Sequence, residues 1–301
     1  MILAGGHSMR YVLENDVLRV EVDSFGAELR TVKSKQTNEE YMWQADAAYW
    51  GRTSPVLFPF VGGLRNKQFQ YEGKSYSMGQ HGFARDMEHT LVSKTDSTVW
   101  FELLSTEDTL KKYPMEFKLC IGYELEDNRV KVLWRVENPF DKVLHFSIGA
   151  HPAFNCPFHG EADKKGYKMY FGDVNEIHHH GNTSDTGLAM MDEDIVISLD
   201  DHCTDITEGF FDRCTYMVEN KQTGSVGIVD PDGRRYVTVE FDMPLFALWS
   251  PEGKNAPFVC IEPWCGRCDA TDFDGELEER AYNNKLLPNE IFETEYTMIF
   301  A

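Results

Sequence analysis

The stretch CIEPWCGRC, residues 260–268, places three cysteines and one carboxylate within a short span and raises the question of thiol chemistry. Cys265 and Cys268 have the Cys-x-x-Cys spacing found in redox centres and in zinc sites. A redox centre of this kind lies beside a βαβ unit, and a zinc site adds a second close pair of ligands. The sequence contains neither feature, since the nearest other cysteine is the isolated Cys214. The cysteines, Cys260 included, therefore predict no redox centre and no structural metal, and Glu262 is the stronger candidate for chemistry.

Glu262 lies in an apolar context that predicts an unusual carboxylate. It follows the apolar run 258–261, which predicts a buried strand, and it precedes Pro263 and Trp264. A carboxylate there is either paired with an arginine or desolvated with a raised pKa, and both situations are typical of functional sites. We therefore predict that Glu262 is an acid–base group.

Polar residues interrupt three further segments that are apolar and rich in turn residues, the kind of loop in which a rigid scaffold holds functional groups. The segments are SPVLFPFVGGLRN (54–66) with Arg65, GQHGFARD (79–86) with His81 and Arg85, and FSIGAHPAFN (146–155) with His151. Because Pro152 cannot donate to a sheet ladder, His151 is expected at a strand end. Each segment also has a purely structural alternative. The first is a strand that runs into a loop, and the second is a surface turn. In the third, His151 is a core histidine bonded to a carbonyl.

Together these residues have the chemistry of a sugar site. Arginine, histidine and carboxylate groups bind hydroxyls, and tryptophans such as Trp249 and Trp264 stack on the C–H face of a sugar ring. Opening a cyclic hemiacetal needs a base at the anomeric hydroxyl and an acid at the ring oxygen, and each such proton transfer contributes about 10²–10⁴ in rate. Glu262 and the two histidines supply groups of both kinds.

The composition excludes several other classes. The chain has 301 residues and a formal charge of −21, from 50 acidic and 29 basic side chains, so its field repels nucleic acids and anionic membranes. No apolar run approaches the ~18 residues of a membrane-spanning helix, and the N-terminus lacks the pattern of a signal peptide. Seven cysteines, an odd number, fit reduced thiols better than a disulfide framework. We therefore predict a cytoplasmic protein.

Period-two alternation dominates the chain and predicts half-buried strands. The segments are 16–24, 98–105, 117–125, 129–138, 226–230, 236–241 and 292–300. Turn residues in YEGKSY and LEDNRV predict hairpins, and STEDTLKKY (105–113) predicts a short capped helix. Since βαβ alternation and linkers are absent from the sequence, we predict an all-β fold: one large antiparallel β-sandwich domain over residues 9–301, with residues 1–8 as an added leader.

The acidic segment 156–212 is the hardest to assign, and it contains the run His178-His179-His180. Adjacent histidines are found in metal sites and in tags. Because neighbouring side chains on a strand point to opposite faces, these three cannot all converge on one ion. We therefore predict a solvated loop here, with metal binding as the alternative.

The four polar segments, in their order, resemble the aldose 1-epimerase (galactose mutarotase) family and in particular its LacX-like branch. The matching motifs are SPVLFPFVGGL, QHGFARD, SIGAHPAFN and CIEPW, with LFALWSPEG before the last, and the resemblance runs from about residue 16 to the C-terminus. Each motif alone is moderately specific, whereas four in this order are strongly specific. The resemblance implies a galactose mutarotase-like supersandwich with few short helices, a sugar cleft on one face, and no metal or nucleotide cofactor.

The resemblance also implies roles for three residues. Glu262 in IEPW corresponds to the general base that takes the anomeric proton, and His151 in AHPAF corresponds to the general acid at the ring oxygen. His81 in QHGFAR corresponds to a histidine that binds and polarises the sugar around that oxygen.

Two positions depart from the family pattern. Where many members have a sugar-binding arginine after a glycine, this chain has Gly63, which leaves Arg65 or Arg85 as substitutes. Where members supply an aspartate to the sugar hydroxyls, this chain has Cys214, with Asp212 two residues earlier. The acid–base pair is therefore the firmer part of the correspondence.

These features predict an isomerase, an aldose 1-epimerase that interconverts the α and β anomers of a hexose by acid–base ring opening. The predicted substrate contacts are His81, Arg85, Arg65 and Trp249. The expected partner is a small sugar, with no nucleic acid or membrane partner, and the expected assembly is a monomer or homodimer.

Two alternatives stay open. One is a non-catalytic carbohydrate-binding protein, which has no need of a matched acid and base. The other is a hexose-6-phosphate mutarotase in which Arg65, Lys67 and Arg85 hold the phosphate. A glycosidase is disfavoured, because it needs two carboxylates about 5–9.5 Å apart and only Glu262 is a strong candidate.

Overall fold

The structure is a computed structural model that describes residues 8–301. The predicted leader, residues 1–8, lies outside the described residues except for Ser8, which is exposed. The strands in chain order are β1 Arg10–Glu14, β2 Leu18–Asp23, β3 Leu29–Ser34, β4 Val56–Leu57, β5 Gln68–Tyr71, β6 Lys74–Ser77, β7 Thr90–Lys94, β8 Thr98–Leu104, β9 Lys118–Glu126, β10 Arg129–Glu137, β11 Leu144–Phe146, β12 Ile148–Ala150, β13 Ala153–Asn155, β14 Lys168–Tyr170, β15 Glu176–Asn182, β16 Ala189–Ser198, β17 Cys203–Asp205, β18 Tyr216–Val218, β19 Ser225–Val229, β20 Arg235–Phe241, β21 Leu245–Trp249, β22 Phe258–Cys265, β23 Asn284–Leu286 and β24 Ile291–Phe300. The helices are α1 Glu107–Lys112 and the 3₁₀ turns Arg65–Lys67, Ala84–Asp86 and Leu277–Glu279.

Two large sheets make up most of the fold. The first has nine strands in the order β17-β14-β19-β20-β24-β10-β9-β8-β7. The second has eight strands, in the order β16-β15-β18-β21-β22-β12-β4, with β13 paired to β22 beside this path. Smaller sheets are formed by β1-β2-β3, by the hairpin β5-β6 and by β11-β23.

Alternating side chains place one face of each strand in the core. In β10, RVKVLWRVE, the side chains of Val130, Val132, Trp134 and Val136 are buried and those between them are half-buried. Burial of one large apolar side chain contributes about 1.5–3 kcal/mol to stability. All seven predicted strands are present, as β2, β8, β9, β10, β19, β20 and β24. Both predicted hairpins are present as β5-β6 and β9-β10.

One large apolar cluster lies between the two large sheets. It includes Ile121 and Val132 from the nine-stranded sheet and Ile148 and Leu248 from the eight-stranded sheet. Because both sheets contribute buried side chains to one cluster, they pack face to face. The predicted all-β fold, a large antiparallel sandwich with few short helices, is confirmed.

The predicted helix is also confirmed. α1 lies within the segment predicted at 105–113, and Thr106 caps its N-terminus. The Thr109 N–H donates to the Thr106 hydroxyl at 3.2 Å, and the Thr106 N–H donates to the Thr109 hydroxyl at 2.7 Å. This reciprocal capping box satisfies two backbone donors. In residues 8–301, no helix is long and apolar enough to span a membrane.

Strand β22 positions the functional side chains. β12 pairs with its C-terminal end at Trp264 and Cys265, whereas β13 pairs with its N-terminal half, up to Cys260. The connection between β12 and β13, residues 151–152, therefore lies beside the middle of β22. The Ile261 N–H donates to the carbonyl of Pro152 at 3.3 Å, which fixes this connection on the sheet.

The run of three histidines lies on β15, so the predicted solvated loop is wrong at these positions. β15 pairs with β16 on one side and β18 on the other, and this pairing holds a polar sequence in a strand. His179 is buried, whereas His178 and His180 are only half-buried. Successive side chains therefore alternate between the two faces, as a strand requires.

His89 makes the stability of the fold depend on pH. Its side chain is buried with Nδ1 3.1 Å from the Met87 carbonyl, and burial lowers its pKa to about 4. Histidine in an unfolded chain has a pKa of about 6.5, so as the pH falls the unfolded chain binds this proton first. The associated stability is therefore present above about pH 6.5 and is lost as the pH falls towards 4.

We expect a His89→Gln variant to show a weaker pH dependence of stability than the wild type. Between pH 7.5 and pH 5, the wild type should lose about 2 kcal/mol more of its free energy of unfolding, at ~1.36 kcal/mol per pKa unit. Urea unfolding of both proteins at the two pH values measures the difference. If the two proteins lose the same free energy of unfolding between these pH values, His89 is not the source of the pH dependence.

Candidate functional site

Glu262 occupies the middle of β22 with its carboxyl group out of solvent. The side chain is 1% exposed, and Ala247 of β21 lies opposite it in the ladder. Burial raises the pKa of Glu262 well above its ordinary value of 4.5. Within residues 8–301, its Oε2 atom has no hydrogen-bond partner.

His151, in the β12–β13 connection, faces Glu262. Its Nε2 atom lies 3.4 Å from Glu262 Oε2. The imidazole stacks on Trp50, with ring centroids 4.7 Å apart, and meets the edge of Trp249 at 5.3 Å. Burial, with a smaller contribution from the charge of Arg85, lowers the pKa of His151 to about 3.

The two pKa shifts fix where a shared proton resides. Burial favours the uncharged form of both groups, so one proton on this pair resides on Glu262 rather than on His151 in the free protein. A ligand that donates a hydrogen bond to Glu262 favours its carboxylate form. The position of the proton therefore depends on what occupies the space beside the pair.

His81 is held in one tautomer by the backbone. The Gly62 N–H donates to His81 Nδ1 at 3.0 Å, and the His81 N–H donates to the Gly62 carbonyl at 3.0 Å. Since Nδ1 accepts, the ring proton is on Nε2. Burial, followed by the charge of Arg85, lowers the pKa of His81 well below 6.5. His81 is therefore a neutral hydrogen-bond donor, with its ring 5.6 Å from that of His151.

Glycine is required at the backbone contact that orients His81. Gly62 has a φ of +72°, and a Cβ there would lie 2.4 Å from Cys268 Cβ. A larger residue would therefore push the segment carrying the Gly62 N–H away from Cys268. Gly62 of the VGG segment thus keeps in place the N–H that orients His81.

Glu262, His151 and His81 all face one cavity of about 530 Å³. This volume lies in the range of small-molecule sites, about 300–1,000 Å³. Most of the other lining groups are aromatic, charged or polar, and they include Tyr49, Trp50, Phe211, Trp249, Trp264, Arg52, Arg85, Glu252, Lys254, Gln80 and the loop 182–187. Buried titratable groups and charged groups thus line the same cavity.

The structure brings most of the predicted site residues together. Arg85 and Trp249 line the cavity with Glu262, His151 and His81. The Arg85 Nη2 atom donates to the Gln80 carbonyl at 2.9 Å, which orients the guanidinium.

Arg65 is the predicted contact that the structure does not bring to the cavity. Its backbone N–H donates to Asp269 Oδ2 at 2.9 Å, and its Nη1 atom donates to the Phe273 carbonyl at 3.0 Å. The first bond holds the Arg65 backbone, and the second holds its side chain, on the chain segment after β22. Lys67 also lies outside the cavity lining, so the predicted cluster of Arg65, Lys67 and Arg85 does not form there.

Several lining residues are not predicted from the sequence. Arg52 pairs with Asp86 at 2.7 Å, and Lys254 donates to the Tyr49 carbonyl at 3.0 Å. Trp50 and the loop 182–187 also line the cavity. The cluster of Tyr49, Trp50 and Arg52 beside Gly51 is a signal that could have been recognised, because aromatic and cationic residues meet there at a turn. The loop carries no such signal, since it is polar throughout.

The loop 182–187 explains the glycine at position 63. A Cβ on Gly63 would lie 2.4 Å from the carbonyl oxygen of Thr186. An arginine at this position would therefore collide with the loop backbone. The space that a longer side chain would need is occupied by the backbone of Thr186 and Gly187.

The cysteines differ in their surroundings. All seven are free thiols, and Cys214 and Cys268 line the cavity. Asp212 points elsewhere, because its Oδ1 atom accepts the Gly253 N–H at 2.8 Å. Cys260, two residues before Glu262, is fully buried, and its Sγ atom lies within 4.8 Å of ligand atoms of His151 and Glu262.

The chain is similar over most of its length to one protein family and to proteins of known sequence. The sequence profile of the family described as aldose 1-epimerase matches residues 9–272. The chromosomal Protein LacX of Lactococcus lactis subsp. lactis is 29% identical over 287 residues, which cover 93% of this chain and 95% of that protein.

Two solved structures are similar over nearly their whole length. A galactose mutarotase related enzyme from Lactobacillus acidophilus is 32% identical with a TM-score of 0.92, and 97% of each chain is covered. A galactose mutarotase-like protein from Lactobacillus casei ATCC 334 is 27% identical with a TM-score of 0.89, over 97% of this chain and 100% of that one.

Proposed function

Since this chain belongs to the aldose 1-epimerase family, we propose that it is an isomerase that interconverts the α and β anomers of a free hexose. One observation carries the proposal: Glu262 and His151, both buried, approach to 3.4 Å in the lining of a cavity of about 530 Å³. A carboxylate and an imidazole at that distance can exchange protons with two oxygens of one small ring.

The proposed reaction uses the two groups in concert. Glu262 takes the proton of the anomeric hydroxyl, the bond between C1 and the ring oxygen breaks, and His151 protonates that oxygen. Rotation about the C1–C2 bond presents the other face of the aldehyde. Ring closure with the proton transfers reversed gives the opposite anomer and restores both groups.

The surroundings support these roles. His81 is a neutral donor through Nε2 and lines the cavity with Trp249, so in the proposed complex His81 polarises the ring oxygen and Trp249 contacts the sugar ring. A sugar hydroxyl that donates to Glu262 favours the carboxylate and so moves the shared proton to His151. Substrate binding would thereby set up the base and the acid that ring opening needs.

Polarimetry tests the proposed function. We expect the purified protein to speed the equilibration of freshly dissolved α-glucose or α-galactose above the rate in buffer alone. If no sugar in a panel of these hexoses and their 6-phosphates equilibrates faster, the proposal is wrong. Calorimetric sugar binding without acceleration would instead support the carbohydrate-binding alternative.

A second candidate function is mutarotation of a hexose 6-phosphate, because three cationic side chains, Arg52, Arg85 and Lys254, line the cavity. The two arginines share one carboxylate, Asp86, at 2.7 Å from Arg52 and 3.8 Å from Arg85. A single carboxylate leaves guanidinium donors free for an anion at the cavity wall.

An Arg52→Gln variant separates the two candidates. If the substrate carries a phosphate, we expect kcat/KM for the 6-phosphate to fall by about 10–100-fold, the range of one charge-assisted hydrogen bond. The value for the free hexose should change far less. Arg65→Gln is the matched control outside the cavity and should alter neither. Equal effects of Arg52→Gln on both sugars would exclude phosphate binding at Arg52.

We propose that residues 9–301 act as one domain, because side chains of both large sheets share one apolar cluster. The free state of all seven cysteines supports a reducing, cytoplasmic compartment. A small sugar is the proposed partner, and a monomer or a homodimer is the proposed assembly. Sedimentation analysis distinguishes the two states.

A further inference from the structure

We propose that Cys260, His151 and Glu262 form a binding site for a divalent transition-metal ion of the Zn²⁺ class, and that this ion inhibits the protein by occupying the acid–base pair. The three side chains are buried, and their ligand atoms lie within 4.8 Å of one another. A thiol, an imidazole and a carboxylate are the ligand types that zinc takes from proteins. The inference goes beyond the proposed function, since metal binding does not require catalysis.

The sheet brings these ligands together. Cys260 and Glu262 are two residues apart on β22, so their side chains project from the same face. His151 reaches that face because β12 and β13 both pair with β22 and leave the connection between them beside its middle. The ligands therefore stand on paired strands and a short connection, which hold positions better than long loops do.

The distance between His151 and Glu262 fits a tetrahedral ion. Zinc–nitrogen and zinc–oxygen bonds of about 2.0–2.1 Å place two tetrahedral ligands roughly 3.4 Å apart. Nε2 and Oε2 are 3.4 Å apart. Within the described part of the chain, Glu262 Oε2 accepts no hydrogen bond, so a lone pair is free for the ion. The Cys260 sulfur lies within 4.8 Å of the other ligand atoms, so it needs to move by at most roughly 1.2 Å to reach the ~3.6 Å separation of a bound thiolate.

Charge balance favours the bound ion. A thiolate and a carboxylate together neutralise a divalent cation, so the centre with its ligands presents no net charge to Arg52 and Arg85 at the cavity wall. Neutral imidazole is the form of histidine that binds metals, so His151 adds no charge to this balance. The Cys260 thiol and the Glu262 carboxyl group both lose their protons to solvent on binding, because a ligand must be deprotonated to bind the ion.

The arrangement also predicts which ions bind and what they block. Three protein ligands leave one tetrahedral position unfilled, and two of these ligands, His151 and Glu262, line the cavity. Sulfur and nitrogen ligands favour Zn²⁺, Cd²⁺ and Co²⁺ over Mg²⁺ and Ca²⁺, which take oxygen ligands. An ion held here engages a lone pair of Glu262 and one of His151, so neither atom can exchange a proton.

Zinc X-ray absorption on the wild-type protein tests the site directly. With one equivalent of Zn²⁺ bound, we expect one sulfur neighbour at about 2.3 Å together with nitrogen and oxygen neighbours at about 2.0–2.1 Å. Co²⁺ should show a thiolate charge-transfer band in the near ultraviolet. A shell of nitrogen and oxygen alone, or cobalt without that band, would overturn the proposal.

Matched variants identify the sulfur. Cys260→Ser should weaken Zn²⁺ binding by at least about 100-fold, because even partners of a ligand change metal affinity by 10–100-fold. Cys268→Ser replaces another buried thiol, one that lines the same cavity, and should leave the affinity unchanged. Unchanged affinity in Cys260→Ser, or a loss confined to Cys268→Ser, would contradict the assignment.

Inhibition is measured separately and rests on the proposed function. Mutarotation by the wild type should fall as Zn²⁺ is added and recover with a chelator, whereas Cys260→Ser, relative to its own rate, should resist the ion. If Zn²⁺ inhibits Cys260→Ser as strongly as it inhibits the wild type, the inhibitory role of this site is wrong. If the protein speeds no sugar, the proposed function fails while the binding measurements still decide the metal site.

Discussion

Glu262→Gln is expected to lower kcat for anomer interconversion by about 10²–10⁴-fold, the usual contribution of one general base. Glutamine keeps the size and the oxygen acceptor of the side chain but cannot take the anomeric proton. The variant should fold normally, because burial already favours an uncharged group at this position. Polarimetry or NMR exchange at saturating sugar gives kcat.

A half-buried carboxyl group elsewhere provides the control. Burial raises the pKa of Glu40 to about 7, and this carboxyl accepts the backbone N–H groups of Val32 and Met42 at 2.9 Å, away from the cavity. Glu40→Gln should therefore keep the wild-type rate. A Glu262→Gln protein with wild-type kcat would remove Glu262 from the mechanism.

His151→Gln is expected to have a loss of similar size, about 10²–10⁴-fold in kcat, because ring opening then lacks its general acid. The amide still donates a hydrogen bond but gives up no proton. His89→Gln is the matched control, since His89 is also a buried neutral histidine and lies outside the cavity. If His151→Gln retains the wild-type rate, another group protonates the ring oxygen.

The pH dependence of kcat/KM in the wild type tests the shared proton. The pair works with one proton, so the rate should fall at acid pH as His151 takes a second, near its pKa of about 3. It should fall at alkaline pH as Glu262 loses its own, since burial raises that pKa. Between these limits the profile should be flat. A rise through pH 6.5, as for an ordinary histidine, would contradict this picture.

The sequence predicts the strands well because their signal is local. In β10 each buried residue alternates with a half-buried one, and that pattern is visible without any knowledge of neighbouring strands. β15 was not predicted, because its side chains are polar and its strand conformation depends on pairing with β16 and β18. Pairing partners are distant in sequence, and periodicity does not reveal them.

The candidate site also combines residues that local motifs reveal with residues whose position depends on distant contacts. Glu262, His151 and His81 are found from sequence because each lies in a motif that breaks an apolar run. The sequence predicts Arg65 as a substrate contact on the same grounds. Its side chain instead binds the Phe273 carbonyl, a partner more than two hundred positions away. The association of Cys260 with His151 also depends on the pairing of β12 and β13 with β22.

The placement of the acid–base pair on β22 and its paired neighbours has a consequence for how the protein can diverge. Glu262 and His151 are fixed by sheet pairing, whereas the loop 182–187 and the segment around Arg52 supply the cavity wall. Insertions or exchanges in those segments alter the shape and charge offered to a ligand without moving the ladder. Selection for a new ligand can therefore act on these two segments alone. Exchanging the loop 182–187 between relatives would then transfer ligand preference from one protein to the other.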